Sequence, residues 1–241
     1  MAKNNIWMSV SDLMTGLMVI FLFIAIAYMI RVRDDISEYK DTKEEIYNRL
    51  KNKFSDQEIA NGIISVNPDL SMRFLQATTQ FQSGQSTLPT SFKLTLDSII
   101  PKYLDVLVNL NDTLKGKLKE IRIEGHTDAD GYPAINPDPY RANLILSQER
   151  ARNVLFHILD IIAQRDYSKS DKLLLRHLLT ANGYSFSRAL DKKGYEVYGT
   201  NNPIEPSKSR RVEIRIITDE KAVLEKLIKK TRVSKTIEYD N

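Results

Sequence analysis

The chain has 241 residues, 42% of them hydrophobic and 27% charged, with a net charge of +4 and no cysteine. The missing cysteines exclude a disulfide scaffold and a thiolate metal site. The mild positive balance, with no basic stripe beyond "KLIKKTRVSK" near the C-terminus, argues against a nucleic-acid binder.

Apolar residues crowd the N-terminal end. Residues 6–30 carry a single charge, Asp12. A helix of about 20 apolar residues crosses a bilayer, so a transmembrane helix is expected over residues 6–30, after a short N-terminus of residues 1–5. A cleavable signal peptide fits less well. Only Lys3 precedes the run, and "AYMIRVRDD" has no small-residue cleavage site. Trp7 and Tyr28 fall where interfacial aromatics anchor a span.

Asp12 lies about 9 Å into that helix at 1.5 Å per residue. Its helical neighbours are Ser9, Thr15, Gly16 and Val19. This face is small and polar, while Leu, Met, Ile and Phe cover the opposite one. An ionisable residue inside a membrane span is a functional candidate by default. Burial disfavours its charged form, so it is suited to taking up and releasing a proton. Pairing with a Lys or Arg of a partner is the structural alternative. Small and hydroxyl residues let another helix approach. One acid cannot build an ion path alone, which implies a polytopic membrane partner.

Residues 31–68 read as a stalk or linker. "RVRDDISEYKDTKEEIYNRLKNKF" is rich in helix formers and lacks Pro and Gly. Ile36, Tyr39, Ile46 and Leu50 make a short heptad stripe, with Lys43 at the intervening seam position. It suits either a two-stranded stalk or a solvated single helix. "NGIISVNPDL" then marks a boundary.

The α/β domain expected over residues 69–217 is large enough for its own core. "LSMRFLQ" reads as a strand. "PTSFKLTLDSIIPKYLDVLVNL" reads as a helix kinked or broken at Pro101. "KEIRIEG" alternates as a strand does. "LSQERARNVLFHILDIIAQ" is an amphipathic helix with Ser147 as N-cap. "SDKLLLRHLLTANGYS" is a helix or turn leading to a short strand, and "RRVEIRII" is a clean alternating strand. The order predicts a mixed sheet with helices packed on one face. Residues 218–241 form a charged tail, expected as a helix and then a disordered end.

"GHTD" falls at the end of a strand, where Gly125 allows a close turn and Asp128 becomes a free acceptor. Arg150, taken as lying in the first helical turn, sits against the helix dipole. A ligand carboxylate bridging Arg150 and the helix N–H groups would explain it, with Asp128 taking an ammonium group. The pair then clamps a zwitterion. A plain Asp128–Arg150 salt bridge is the competing reading.

Three motifs resemble the OmpA-like peptidoglycan-binding domain: "GHTD", then Asn143, Leu146, Ser147, Arg150 and Ala151 in "NLILSQERA", and "RRVEI". "FQSGQSTL" is similar to that domain's opening segment. The resemblance covers roughly residues 70–217. It implies that Asp128 and Arg150 hold diaminopimelate of the cell wall, with Thr127, Asn143 and Leu146 shaping the pocket. Arg210 and Arg211 become pocket-edge candidates. The family's usual Asn before them is Ser209 here, which leaves the role of Ser209 open.

"DLMTGLMVIFL" resembles the membrane signature of the MotB family of stator subunits. That resemblance implies a homodimer in an ion-driven rotary motor, with five copies of a ZorA/MotA-like polytopic partner to two of this chain. Only 11 residues precede Asp12, whereas flagellar MotB proteins carry a longer basic leader. The short leader is similar to the MotB-like subunit of Zorya anti-phage systems, with a flagellar stator subunit as the alternative. A passive peptidoglycan anchor is the other class of reading.

Arg31 and Arg33 lean towards a cytoplasmic C-terminus by the positive-inside rule. Peptidoglycan lies outside the inner membrane, so the wall-binding resemblance implies the opposite: N-terminus cytoplasmic, C-terminal domain periplasmic. No cofactor, metal or enzymatic activity is expected. His126, His157 and His177 lack ligand spacing, and His126 reads as a hydrogen-bonding turn residue. "DADG" opens like a calcium loop, but its Gly comes too early and no Glu closes it. Ser147, His126 and Asp128 lack the strained turn of a hydrolase.

Overall fold

The computed structural model describes residues 2–54, 58–59, 63–74 and 81–219. The expected helix and disordered end after residue 219 lie outside the described residues. The chain divides into two units, the first containing residues 1–42 and the second running from Lys43 to Asp219.

Helix α1, Ala2–Lys53, begins in the first unit. Its stretch Val10–Asp34 has a mean hydropathy of 2.6 and none of it is buried. Leu13 is 73% exposed, and Phe21, Phe23 and Ile24 are exposed like it. A continuous apolar surface of this kind needs a non-aqueous environment. A helix meets that need because it satisfies every backbone group internally.

The second unit takes in the last turns of α1. Ile46 and Leu50 are buried, as is Phe54 just beyond the helix, and all three belong to the domain's hydrophobic core. Then follow β1 (Ile64–Val66), β2 (Ser71–Phe74), α2 (Thr90–Val108), α3 (Asp112–Lys115) and β3 (Leu118–His126). After them come α4 (Pro139–Gln164), α5 (Lys169–Leu178), β4 (Leu179–Gly183), α6 (Pro206–Ser209) and β5 (Arg211–Thr218).

The folded unit therefore starts well before residue 69, where the sequence places the boundary. Two things draw the supposed linker in. The lower half of its apolar stripe, Ile46 and Leu50, faces this chain's own core instead of a coiled-coil seam. Ile64–Val66, read as a boundary, is an edge strand paired with β2, Ile64 opposite Phe74. The side chains of Ile36 and Tyr39 lie outside the described residues.

The five strands lie in the order β1-β2-β5-β3-β4. All neighbours are antiparallel except β3 and β4. That parallel pair needs a crossover, which α4 and α5 supply. Alternation along the strands separates two faces. Ile121, Ile123, Val212, Ile214, Ile216, Met72 and Phe74 join the core with apolar residues of α2, α4 and α5. The opposite face carries Arg73, Arg122, Glu124, His126, Arg211, Glu213 and Arg215.

Helix α2 runs through Pro101 without a break. The start of α4 also differs from the sequence reading. Asp138 is its N-cap, accepting from the amide of Tyr140 at 2.9 Å, and Pro139 is the first helical residue. Proline is favoured there because its missing N–H would be unpaired anyway. Ser147 is thus a buried mid-helix residue. Its hydroxyl donates to the carbonyl of Leu144 at 3.0 Å and accepts from the amide of Ser185 at 3.0 Å.

Candidate functional site

Asp12 sits within the apolar part of α1. Thr15 turns its hydroxyl back onto the carbonyl of Ser11 at 2.8 Å, so it satisfies itself within the helix. A Cβ on Gly16 would meet nothing within 4 Å, which leaves the backbone beside Asp12 open to a neighbouring helix. The side chains of Trp7 and Ser9 lie outside the described residues.

The second candidate site lies where β3 ends against α4. Gly125 is part of the strand and not of a turn, and its use is close approach. A Cβ there would stand 2.1 Å from the carbonyl oxygen of Ser147. The strand thereby delivers Thr127 and Asp128 to the helix. The amide of Thr127 donates to the carbonyl of Ser185 at 3.0 Å. Asn143 donates to the carbonyls of Asp130 at 2.6 Å and Pro139 at 3.0 Å, tying the following loop to the start of α4. Leu146 is buried on the same helix.

Asp128 is 1% exposed and accepts from Nη1 of Arg210 at 2.9 Å. The amide of Asp130 also donates to it, at 3.3 Å. Arg150 is 2% exposed and lies roughly three turns into α4. The dipole argument based on a first-turn position therefore does not apply. Its Nε donates to the carbonyl of Gln85 at 2.9 Å and its Nη2 to that of Gln82 at 3.1 Å. Its Cζ lies 4.9 Å from the centroid of the Phe81 ring, a cation–π arrangement. Burial pulls the guanidinium down to about 10, so it stays charged at neutral pH.

No ion pair joins Asp128 to Arg150 among the described residues. The competing salt-bridge reading therefore fails, and the acid's partner is Arg210. Two buried acceptors nearby, Thr127 Oγ1 and Asn143 Oδ1, have no hydrogen-bond partner among the described residues.

Arg211 points elsewhere. Its Nε donates to Glu213 at 2.6 Å, within the charged face of the sheet. Ser209 is fully buried, and its hydroxyl accepts from the amide of Leu190 at 2.9 Å and donates to its carbonyl at 3.2 Å. It locks the long 184–205 connection beside Arg210. The resemblance places Arg210 at the edge of the pocket, but no pattern in the sequence makes it the cation on Asp128, because the two are far apart in the chain.

Glu124, His126 and Glu213 bring one ligand atom each within 4.8 Å of one another, the geometry of a metal cluster. The charge balance speaks against one. Arg211, Arg73 and Arg215 contact Glu213 at 2.6, 2.8 and 2.9 Å, and Arg215 also reaches Glu124 at 3.2 Å. A divalent cation would have to displace a guanidinium from a site that is already neutralised. Burial pushes Glu213 up, but Arg211, His126 and Arg73 outweigh it and hold the carboxyl below its usual range.

His126 ends strand β3 and does not lie in a turn. It stacks on Tyr184, centroids 5.3 Å apart, and its Nε2 stands 3.5 Å from Oε2 of Glu124, long for a hydrogen bond. Burial, aided by Arg211, lowers its pKa against the opposing pull of Glu124 and Glu213.

The fold and the two sites define a class: a single-span protein with one carboxylate in its apolar helix and an α/β domain carrying a buried Asp–Arg site. Relatives give the family. The chain is 37% identical over 242 residues to the Zorya protein ZorB of Escherichia coli strain Crooks, covering 93% of each. It is 29% identical over 224 residues to the Zorya protein ZorB of Escherichia coli O139:H28, covering 89% of this chain and 81% of that one. The chain belongs to the ZorB family.

No family model matches it. Among solved structures it is similar to a MotB-like protein from Desulfovibrio vulgaris, at 19% identity and a TM-score of 0.46, covering 78% of this chain and 98% of that one. It is also similar to the periplasmic domain of Helicobacter pylori MotB, at 15% identity and a TM-score of 0.40, covering 71% and 87%.

Proposed function

We propose that this chain is the peptidoglycan-anchored B subunit of a proton-driven rotary motor in the inner membrane, serving Zorya anti-phage defence. The observation that carries the reading is Asp12, the one charge in residues 6–30, in a chain of the ZorB family. A carboxyl in lipid is costly and is kept where it moves ions or meets a partner. Asp12 takes up a proton on one side of the membrane and releases it on the other, along an interface lined by Ser9, Thr15 and Gly16. A polytopic partner of the MotA kind completes that path, five copies around a dimer of this chain. Membership of the ZorB family weighs against the flagellar alternative.

The α/β domain holds the dimer still by gripping peptidoglycan. Asp128 takes the ammonium and Arg150 the carboxylate of a diaminopimelate residue. Thr127, Asn143 and Leu146 shape that pocket. Arg210 sits at its edge, and Arg211 supports the sheet behind it. A wall ligand outside the inner membrane requires the N-terminus in the cytoplasm and the domain in the periplasm.

The test is Asp12→Asn, which keeps shape and removes titration. Proton flux through the complex with its partner, and phage protection, are expected to vanish while sedimentation with purified sacculi persists. Undiminished flux and protection in that variant mean a passive anchor instead.

A further inference from the structure

Both residues of the wall-ligand pair are already engaged. Asp128 is buried and accepts from Arg210, whose side chain is 28% exposed. Arg150 is buried with two of its nitrogens on the carbonyls of Gln82 and Gln85. These carbonyls belong to a segment that Tyr132 holds down. The Tyr132 ring lies against Gly84, where a Cβ would come within 3.1 and 3.3 Å of it. Gly84 has φ +67°, in the left-handed region that favours glycine. The hydroxyls of Tyr132 and Ser83 are 3.2 Å apart.

We propose that the chain supplies its own surrogates for both ends of a zwitterion, so that the site is shut until a ligand exchanges with them. Arg210 stands for the ligand's ammonium at Asp128. The Gln82 and Gln85 carbonyls stand for its carboxylate at Arg150. Tyr132, resting on Gly84, is the latch. The inference rests on the reading of Asp128 and Arg150 as the wall-ligand pair, and it assigns Arg210 and Tyr132 the role of opposing binding.

Three observations support exchange over a fixed structural pair. First, the exposures are unequal. Arg210 can swing its flexible arm into solvent, whereas Asp128 has no such route and needs a cation in any state. Second, the surrogates for the carboxylate are neutral carbonyls, which bond a guanidinium more weakly than a carboxylate does. A ligand carboxylate therefore displaces them with a net gain. Third, Thr127 Oγ1, on the residue before Asp128, and Asn143 Oδ1, on the same helix as Arg150, are buried without partners among the described residues. Unpaired buried acceptors are costly, and a bound ammonium would satisfy them.

A shut site lowers apparent affinity by the fraction of molecules that are open. Removing either restraint raises that fraction. Arg210→Gln also leaves Asp128 buried without its cation, so the ligand's ammonium gains a partner that nothing else competes for.

The experiment uses the full-length chain in detergent and a fluorescent diaminopimelate-containing stem peptide. Binding is read by anisotropy for the native chain, Arg210→Gln and Tyr132→Ala, with thermal melts alone and with saturating peptide. Both variants are expected to bind about tenfold more tightly, and Arg210→Gln to melt lower alone yet gain more from the peptide. Weaker or unchanged binding by Arg210→Gln, with Tyr132→Ala unchanged, overturns the proposal. Should Arg210→Gln lack a cooperative melt, Tyr132→Ala decides. If the native chain binds and neither variant improves on it, only the shut-site proposal falls. If none of the three binds, the wall-ligand reading falls with it.

Discussion

Gly125 of β3 and Ser147 of α4 touch backbone to backbone. A Cβ on the glycine would stand 2.1 Å from the serine's carbonyl oxygen and 3.0 Å from its carbonyl carbon. That contact sets the spacing between the strand that delivers Asp128 and the helix that carries Arg150. No side-chain rotation can relieve such a clash, because both parties are main chain. Gly125→Ala is expected to destabilise the domain by about 3 kcal/mol, the upper range for overpacking a core. Thermal denaturation measures this directly. On the proposed wall-ligand role of Asp128 and Arg150, peptidoglycan binding should fall with it even in the fraction that stays folded, since the two are pushed apart.

Ile46 and Leu50 test where the domain begins. Both are buried in the core of the second unit. Truncating either to alanine is expected to cost about 2–5 kcal/mol by loss of transfer energy plus a cavity. The loss should show in the melting temperature of the domain, with the oligomeric state unchanged in size-exclusion chromatography. A stalk seam would give the reverse, a shift towards monomer at constant domain stability.

These residues also show what was legible in the sequence. Periodicity marked Ile46 and Leu50 as facing something apolar, but a helical stripe does not say whether its partner is another copy or its own sheet. Ile64–Val66 is too short, and too close to Asn and Pro, to announce a strand. The clean alternation of Arg211–Thr218 and the long apolar face of α4 were readable because both elements repeat. The start of α4 is where the sequence misleads: Asp138 followed by Pro139 caps the helix, but a serine just ahead of an apolar run carries a capping signal too, and it points to Ser147. Asp128 and Arg150 stood out by residue type. Which cation meets Asp128 depended on how β5 lies beside β3, a tertiary fact that no local pattern encodes.

His126 gives the domain a predictable response to acid. Burial and Arg211 lower its pKa, with Glu124 and Glu213 pulling the other way. In the unfolded chain it titrates near its ordinary value of about 6.5. Between that value and the lower folded one, the unfolded state binds the extra proton. Stability from this residue is thus fully present above about pH 6.5 and is lost as pH falls towards the folded value. The slope contributed is at most about 1.4 kcal/mol per pH unit. His126→Asn removes the titration. Its melting temperature is expected to start lower, since stacking on Tyr184 is lost, but to fall less steeply between pH 7.5 and 5.5. Parallel slopes for the two proteins would assign the acid sensitivity to other groups.

Ser209, where the resemblance to the OmpA-like motif leads one to expect asparagine, bonds one residue of the 184–205 connection twice. One oxygen accepts from the amide of Leu190 and donates to its carbonyl, so both main-chain groups are satisfied in a fully buried place. An asparagine side chain offers the same two functions from separate atoms. Ser209→Ala removes both and leaves the Leu190 amide buried without a partner, while its carbonyl keeps the amide of Glu205 at 2.7 Å, at a cost of about 1–3 kcal/mol. Ser209→Asn should cost less than Ser209→Ala, because the paired donor and acceptor return. Thermal melts of the three proteins order them. An alanine variant as stable as the native chain would mean that water replaces the hydroxyl and that the 184–205 connection is not held by this residue. If the lock is real, the alanine variant should also show faster amide exchange at Leu190 than the asparagine variant does.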